Sequence, residues 1–111
     1  MCVVDLLPSF DVVLVTSVPV GGGLSSSASL EVAMFSLLEA LVSCNVSEQQ
    51  QCPAVNAVDK ALCCQRAEHV YAKMPCGIMD QFIATMAKAQ HALLIDCRSV
   101  ATDLTDSSQI L

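Results

Sequence analysis

The run Pro19-Val20-Gly21-Gly22-Gly23-Leu24-Ser25-Ser26-Ser27-Ala28-Ser29 decides how the rest of the chain is read, because the sequence changes character on its two sides. Before it, Asp11 to Val18 is β-branched and apolar and is closed by Pro19, which cannot donate to a ladder, so a strand is predicted there. After it, apolar residues recur as Ala28, Val32, Phe35, Leu38 and Val42, with Leu30, Met34, Leu37 and Leu41 on the opposite side. That spacing predicts a helix apolar nearly all round, buried at the centre of the fold. Three consecutive glycines cost conformational entropy that a plain connection would not require, and they permit positive φ and close approach of a ligand. Ser25, Ser26 and Ser27 are all good N-cap residues. Strand, glycines, then helix N-terminus is the general physics of phosphate binding: free N–H groups face the anion and the dipole adds about half a positive charge. The loop has neither the lysine of a Walker A motif nor GxGxxG spacing. On the residues alone, a phosphate cradle and an ordinary serine-capped glycine turn both remain open.

Working outward, Ser43 to Pro53 turns polar, with a Gln49-Gln50-Gln51 run, and reads as an exposed connection. Pro53 suits the first turn of a second helix, predicted from Ala54 to Tyr71 through Val58, Leu62 and Arg66. Pro75-Cys76-Gly77 interrupts, and helical spacing resumes from Ile78 to Lys88 with Ile78, Phe82, Ile83 and Met86 apolar. A last strand is expected over His91 to Asp96, then a polar tail containing Asp103, Thr105, Asp106 and Ser107. The order is an α+β arrangement with an incomplete sheet. Two strands make a marginal unit with unpaired edges, so an internal piece of a larger domain is expected.

The chain's 111 residues allow one compact domain at most. With 54% hydrophobic residues and 14% charged, it is too apolar for a disordered acidic tail. The formal net charge of −6 opposes binding to phosphate backbones, so no nucleic-acid partner is expected. No apolar run reaches the roughly 20 residues of a bilayer span, and the N-terminus lacks the basic region of a secretory signal, so the expectation is a cytoplasmic protein off the membrane. The seven cysteines are odd in number, include the adjacent Cys63 and Cys64, and show no CxxC or Cys/His zinc spacing. They read as buried free thiols packing as small hydrophobes. Asn45-Val46-Ser47 fits a glycosylation sequon by chance in that setting. Residues 1–59 carry six acids and no base, so an anion bound there would depend on backbone N–H groups, a helix dipole or a metal.

Two further segments bear chemistry. In Met74-Pro75-Cys76-Gly77-Ile78-Met79-Asp80-Gln81-Phe82, Asp80 falls in the first turn of a helix, where the dipole favours an acid; it is either an ordinary first-turn residue or a general base. In Gln65-Arg66-Ala67-Glu68-His69, Glu68 is solvated, salt-bridged or a metal ligand, while His69 and His91 have no Cys or second His to pair with as ligands.

Together the glycine–serine run through Leu30-Glu31, Ala67-Glu68-His69, the Met74 to Phe82 run and His91-Ala92-Leu93-Leu94-Ile95-Asp96-Cys97-Arg98-Ser99 resemble the galactokinases of the GHMP small-molecule kinase superfamily, from about Asp11 to Ser99. The resemblance implies part of a GHMP-kinase N-terminal domain, ribosomal protein S5 domain 2-like, over residues 1–111, with the C-terminal GHMP domain absent. It implies transfer of the ATP γ-phosphoryl group to the C1 hydroxyl of galactose. Gly21, Gly22, Gly23, Leu24, Ser25, Ser26 and Ser27 would wrap the nucleotide phosphates. Ser27 and Glu68 would hold magnesium, Asp80 would be the catalytic base, and Cys76 and Gly77 would join Asp80 at the sugar. ATP and galactose are the implied partners, with a monomeric full-length enzyme. The family's N-terminal sugar-gripping segment, the basic partner of its catalytic aspartate and its third glycine-rich motif have no counterpart in this sequence, and Ser43 to Asp59 is longer and more polar than the family pattern. Little catalysis is therefore expected of these residues alone. An N-acetylgalactosamine kinase or a non-catalytic sugar or nucleotide sensor on the same fold are the alternatives.

Overall fold

A computed structural model describes residues 7–45, 55–99 and 101–106, with Asn45 and 101–106 as backbone only. The elements in chain order are α1 (Ser26–Asn45), α2 (Ala57–Ala67), a π turn (Glu68–Ala72), α3 (Met79–Met86), β1 (His91–Asp96) and β2 (Ala101–Asp106). Three helices pack on one another and α3 leans on β1.

The second helix starts later than its periodicity suggests because Asn56 caps it, its side-chain oxygen accepting from the Asp59 N–H at 2.8 Å. Pro53, expected in that first turn, lies outside the described residues. The helix does not run smoothly to Tyr71 either. At Glu68 it widens into five residues of π turn and stops at Lys73, which sits in the left-handed region at φ 58°. The third helix is shorter than expected, running Met79–Met86, with Ala87 already extended.

The core is small and lies where α2, α3 and β1 meet. Ala61 and Phe82 are fully buried beside Ile78, with Val58, Met86, Leu93 and Ile95 packed around them. Ala61 gives Phe82 room, since a larger residue at that point of α2 would hold the helices apart. A second clasp joins α1 and α2. Lys60 pairs with Glu39, lies within 3.4 Å of Ser36 Oγ, and sits 5.5 Å above the Phe35 ring.

Three expectations are corrected. Asp11 to Val18 is not a paired strand: it approaches the glycines as a run with no ladder partner among the described residues, and Val13 and Val15 are exposed at 88% and 91%. Strand propensity supplies no partner, and without one the backbone has nothing to pair with. The polar tail is instead β2, antiparallel to β1 with Leu93 opposite Leu104. Its acidic residues masked a backbone that the adjacent hairpin can pair. Finally, α1 is not buried all round. Ala28, Val32 and Val42 are buried, but Leu30 is 47% exposed, because the other described elements cover only one side. By length and composition alone Ser26–Cys44 could cross a membrane, a test that core helices of folded proteins also pass. In this fold its two acids are tied to neighbouring helices, Glu39 to Lys60 and Glu31 to Gln81.

Among the described residues the sheet is the two-stranded hairpin β1–β2, so the architecture is mixed helix and strand without a complete sheet.

Candidate functional site

The glycine run closes into a tight, exposed turn in which the Gly22 N–H donates to the Pro19 carbonyl at 3.4 Å. Gly21 and Gly23 take left-handed φ values of 71° and 69°, Ser25 takes 59°, and Gly22 and Leu24 between them do not. Alternating handedness of this kind turns successive N–H groups toward one concavity, a form that suits anions. Gly21 and Gly23 are needed for their φ, since a side chain there would be strained even with open space around it. Gly22 differs: its φ is not left-handed, and a Cβ there would sit close to the Pro19 side chain, at 3.3 Å. The Ser29 N–H donates to the Ser25 carbonyl at 3.0 Å, so α1 begins directly at the end of this turn. Leu24 and Ser27 are exposed and Ser25 and Ser26 half-buried.

Glu68 was open between solvated and site residue; it is buried, at 8% exposure. It opens the π turn, a feature often found at functional sites because it redirects one side chain out of helical register. Its Oε2 accepts from Gln81 Nε2 at 2.8 Å and from the Cys76 thiol at 3.2 Å. The same Gln81 nitrogen reaches Glu31 Oε2 at 3.4 Å. Glu31 stands one helical turn after Ser27 on the same face of α1. One polar cluster thus connects that face with the π turn and α3. Burial pushes the Glu31 carboxyl above the usual carboxylate range; the Gln81 hydrogen bond works against this and the Glu68 charge reinforces it.

Cys76 and Gly77 lie in the extended connection before α3. The Cys76 backbone is braced on both sides: its carbonyl accepts from Gln65 Nε2 at 3.1 Å, and His69 Nε2 lies 3.1 Å from its N and 2.9 Å from its O. His69 is exposed and acts as a backbone brace, which its lone occurrence in the sequence does not signal. Asp80 is half-buried in the first turn of α3, as expected. Its neighbour Gln81 is 1% exposed and its Oε1 has no hydrogen-bond partner among the described residues.

Gln81 and Glu31 are the residues that the sequence reading passed over. The Ser27–Glu31 spacing was visible, as were two polar residues inside apolar helical stripes, but nothing in the sequence told which polar residue on α1 meets which on α3.

Magnesium favours oxygen donors and usually takes one or two carboxylates, keeping waters and phosphate oxygens for the rest. Among the described residues no three His, Cys, Asp or Glu side chains converge as an all-protein cage. What is present is one buried Glu68 carboxylate, the kind of hard oxygen donor magnesium takes, with one of its oxygens engaged by Gln81 and Cys76.

The five described cysteines are free, but only Cys64 is buried, so the expectation of buried thiols holds for one of them; Cys44, Cys63 and Cys97 are exposed. Burial, then the charges of Glu31 and Cys63, push the Cys64 thiol up to about 11. Burial and the Glu68 hydrogen bond raise Cys76 as well. At pH 8, alkylation followed by peptide mass mapping should label Cys44, Cys63 and Cys97 readily while Cys64 and Cys76 lag, since the thiolate is the reacting form. Equal labelling of Cys63 and its neighbour Cys64 would contradict the burial described.

Comparison with known proteins gives the family. Residues 2–88 match the GHMP kinases N terminal domain. The chain is 54% identical over 103 residues to a galactokinase of Homo sapiens and 53% identical over 103 residues to one of Bos taurus, in each case covering 92% of this chain. A galactokinase of Canis lupus familiaris is 53% identical over 104 residues. The chain spans 24% of the length of these relatives. With the glycine turn, the buried glutamate and the helix of Asp80 all carried on a segment that the family model covers across most of its length, the chain belongs to the GHMP kinases.

Proposed function

We propose that this chain is part of a galactokinase, handling both nucleotide and sugar, within an S5 domain 2-like GHMP N-terminal domain. The observation that carries the reading is the single polar cluster joining the Ser27 face of α1 to Glu68 and to the helix of Asp80. It ties Glu31, one turn along α1 from Ser27, and the buried Glu68 carboxylate to α3, which carries Asp80 in its first turn.

In this reading the N–H groups of Gly21 to Ser27 and the α1 dipole hold the ATP phosphates, with Ser25 and Ser26 as further donors. Ser27 and Glu68 would hold magnesium, which when bound neutralises phosphate charge that residues 1–59, without Lys or Arg, cannot. Cys76 and Gly77 line the sugar side, and the Gln65 and His69 braces keep that backbone in place. Asp80 accepts the proton of the galactose C1 hydroxyl as its oxygen bonds to the γ-phosphorus. The bond to the β-phosphate bridging oxygen breaks and ADP leaves. Phosphoryl transfer is largely positioning and charge neutralisation, so the turn and Glu68 matter at least as much as the base. The rest of a galactokinase's length would supply the second wall of the cleft and the basic partner of Asp80. The reading includes a cytoplasmic, monomeric full-length enzyme.

The test places this chain's 103 matching residues in the frame of the human galactokinase and measures magnesium-dependent release of ADP with galactose. Galactose-dependent turnover is expected. Preference for N-acetylgalactosamine would move the protein to that kinase, and ATP binding by a folded chimera without turnover of either sugar would make it a sensor.

A further inference from the structure

Gln81 makes both hydrogen bonds of the cluster described above but has been given no part in metal binding, and it is the most completely enclosed polar side chain described, at 1% exposure. Burying an amide in a small apolar core is costly unless its hydrogen bonds are made, and here one atom, Oε1, is left without a partner among the described residues. A residue with only a packing duty would be better served by leucine or methionine.

The geometry fixes which way the amide faces. Its nitrogen lies 2.8 Å from Glu68 Oε2 and 3.4 Å from Glu31 Oε2. Ionised carboxylates accept hydrogen bonds and cannot donate them, so only the NH₂ end fits between them; turned over, the amide oxygen would meet two carboxylate oxygens. Gln81 is therefore held by two acceptors from two other elements, α1 and the π turn, and in turn holds them. The Cys76 thiol is the second donor to Glu68 Oε2, at 3.2 Å, and lies 3.8 Å from the Gln81 nitrogen. With Oε2 occupied by two donors, the rotation of the carboxylate is set and its other oxygen is left for another partner.

We propose that Gln81 is a positioning residue for metal binding: by bridging Glu31 and Glu68 it fixes the Glu68 carboxylate in the orientation in which it meets magnesium, with Glu31 as the anchor of the bridge. This rests on the reading of Glu68 as a magnesium ligand. Residues that orient a ligand from behind commonly account for about 10- to 100-fold in metal affinity.

The test titrates magnesium into the whole chain held at saturating ATP, reading half-saturation by calorimetry, and separately measures ATP affinity in EDTA. Gln81→Met keeps the volume and removes both donors. It should raise the magnesium half-saturation by about 10- to 100-fold and leave metal-free ATP affinity nearly unchanged. Glu31→Ala removes the anchor from a half-exposed position and should weaken magnesium by a smaller factor, on the order of threefold to tenfold. A purely structural role would lower metal-free ATP affinity and magnesium affinity together. Unaltered magnesium half-saturation in folded Gln81→Met overturns the proposal. Should that variant fail to fold, unaltered half-saturation in Glu31→Ala overturns it equally. If the unmodified chain shows no magnesium-dependent ATP binding, the reading of Ser27 and Glu68 falls, and the proposal with it; binding that ignores both substitutions removes the proposal alone.

Discussion

Replacing Phe82 with alanine should abolish cooperative unfolding of this chain, the largest stability effect available to a single substitution here. Phe82 is fully buried and touches the core from three elements: Ala61 and Val58 of α2, Ile78 and Met86 next to it or within α3, and Leu93 and Ile95 of β1. Truncating a buried phenylalanine costs about 3–5 kcal/mol through lost transfer energy and the cavity left behind. Folded domains as a class hold only about 5–15 kcal/mol in total, and a chain with a two-stranded sheet and one small core belongs at the low end. Urea titration followed by circular dichroism is the measurement. A transition displaced by less than about 1 kcal/mol would mean that the Phe82 cluster is not the keystone of the fold. The residue also bears on the site, because it immediately follows Asp80 and Gln81 and its packing sets the rotation of α3 about its axis.

The largest effect on activity is expected from Asp80→Asn, assayed in the human galactokinase frame. Asparagine keeps the size of the side chain and suits a first helical turn, but it cannot take a proton. Removing a general base commonly costs about 10²–10⁴-fold in turnover. Magnesium-dependent ATP binding should stay as it was, which separates loss of the base from loss of the scaffold. A drop of less than about threefold would remove Asp80 from the role of base, leaving transfer to positioning alone.

The helices and the turn were legible in the sequence because their information is local. The 3.6-residue spacing of Ala28, Val32, Phe35 and Val42 and the placement of glycines before serines need no distant partner to be read. The third helix and β1 were found for the same reason. What failed was whatever depends on pairing. Asp11 to Val18 has the composition of a strand and lacks a ladder, whereas Ala101–Asp106 has acidic residues and has one. The site divides in the same way. The sequence motifs marked Gly21 to Ser27, Glu68, Cys76, Gly77 and Asp80, but the bridge through Gln81 is a meeting of residues 50 positions apart on one side and 13 on the other, and no local pattern encodes it. The roles of Lys60 and His69, an interhelical clasp and a backbone brace, were hidden for the same reason.

The π turn at Glu68–Ala72 has a consequence for how this stretch can vary over generations. An α-helix advances about 100° per residue, so a π turn acts as one extra residue accommodated without breaking the rod. Val70 and Tyr71 face outward at 44% and 85% exposure, and exchanging them for other side chains disturbs little. Deleting either would heal the helix and swing Glu68 and Cys76 about a quarter turn apart. Natural variants of this segment should therefore differ freely in spelling and hardly at all in length.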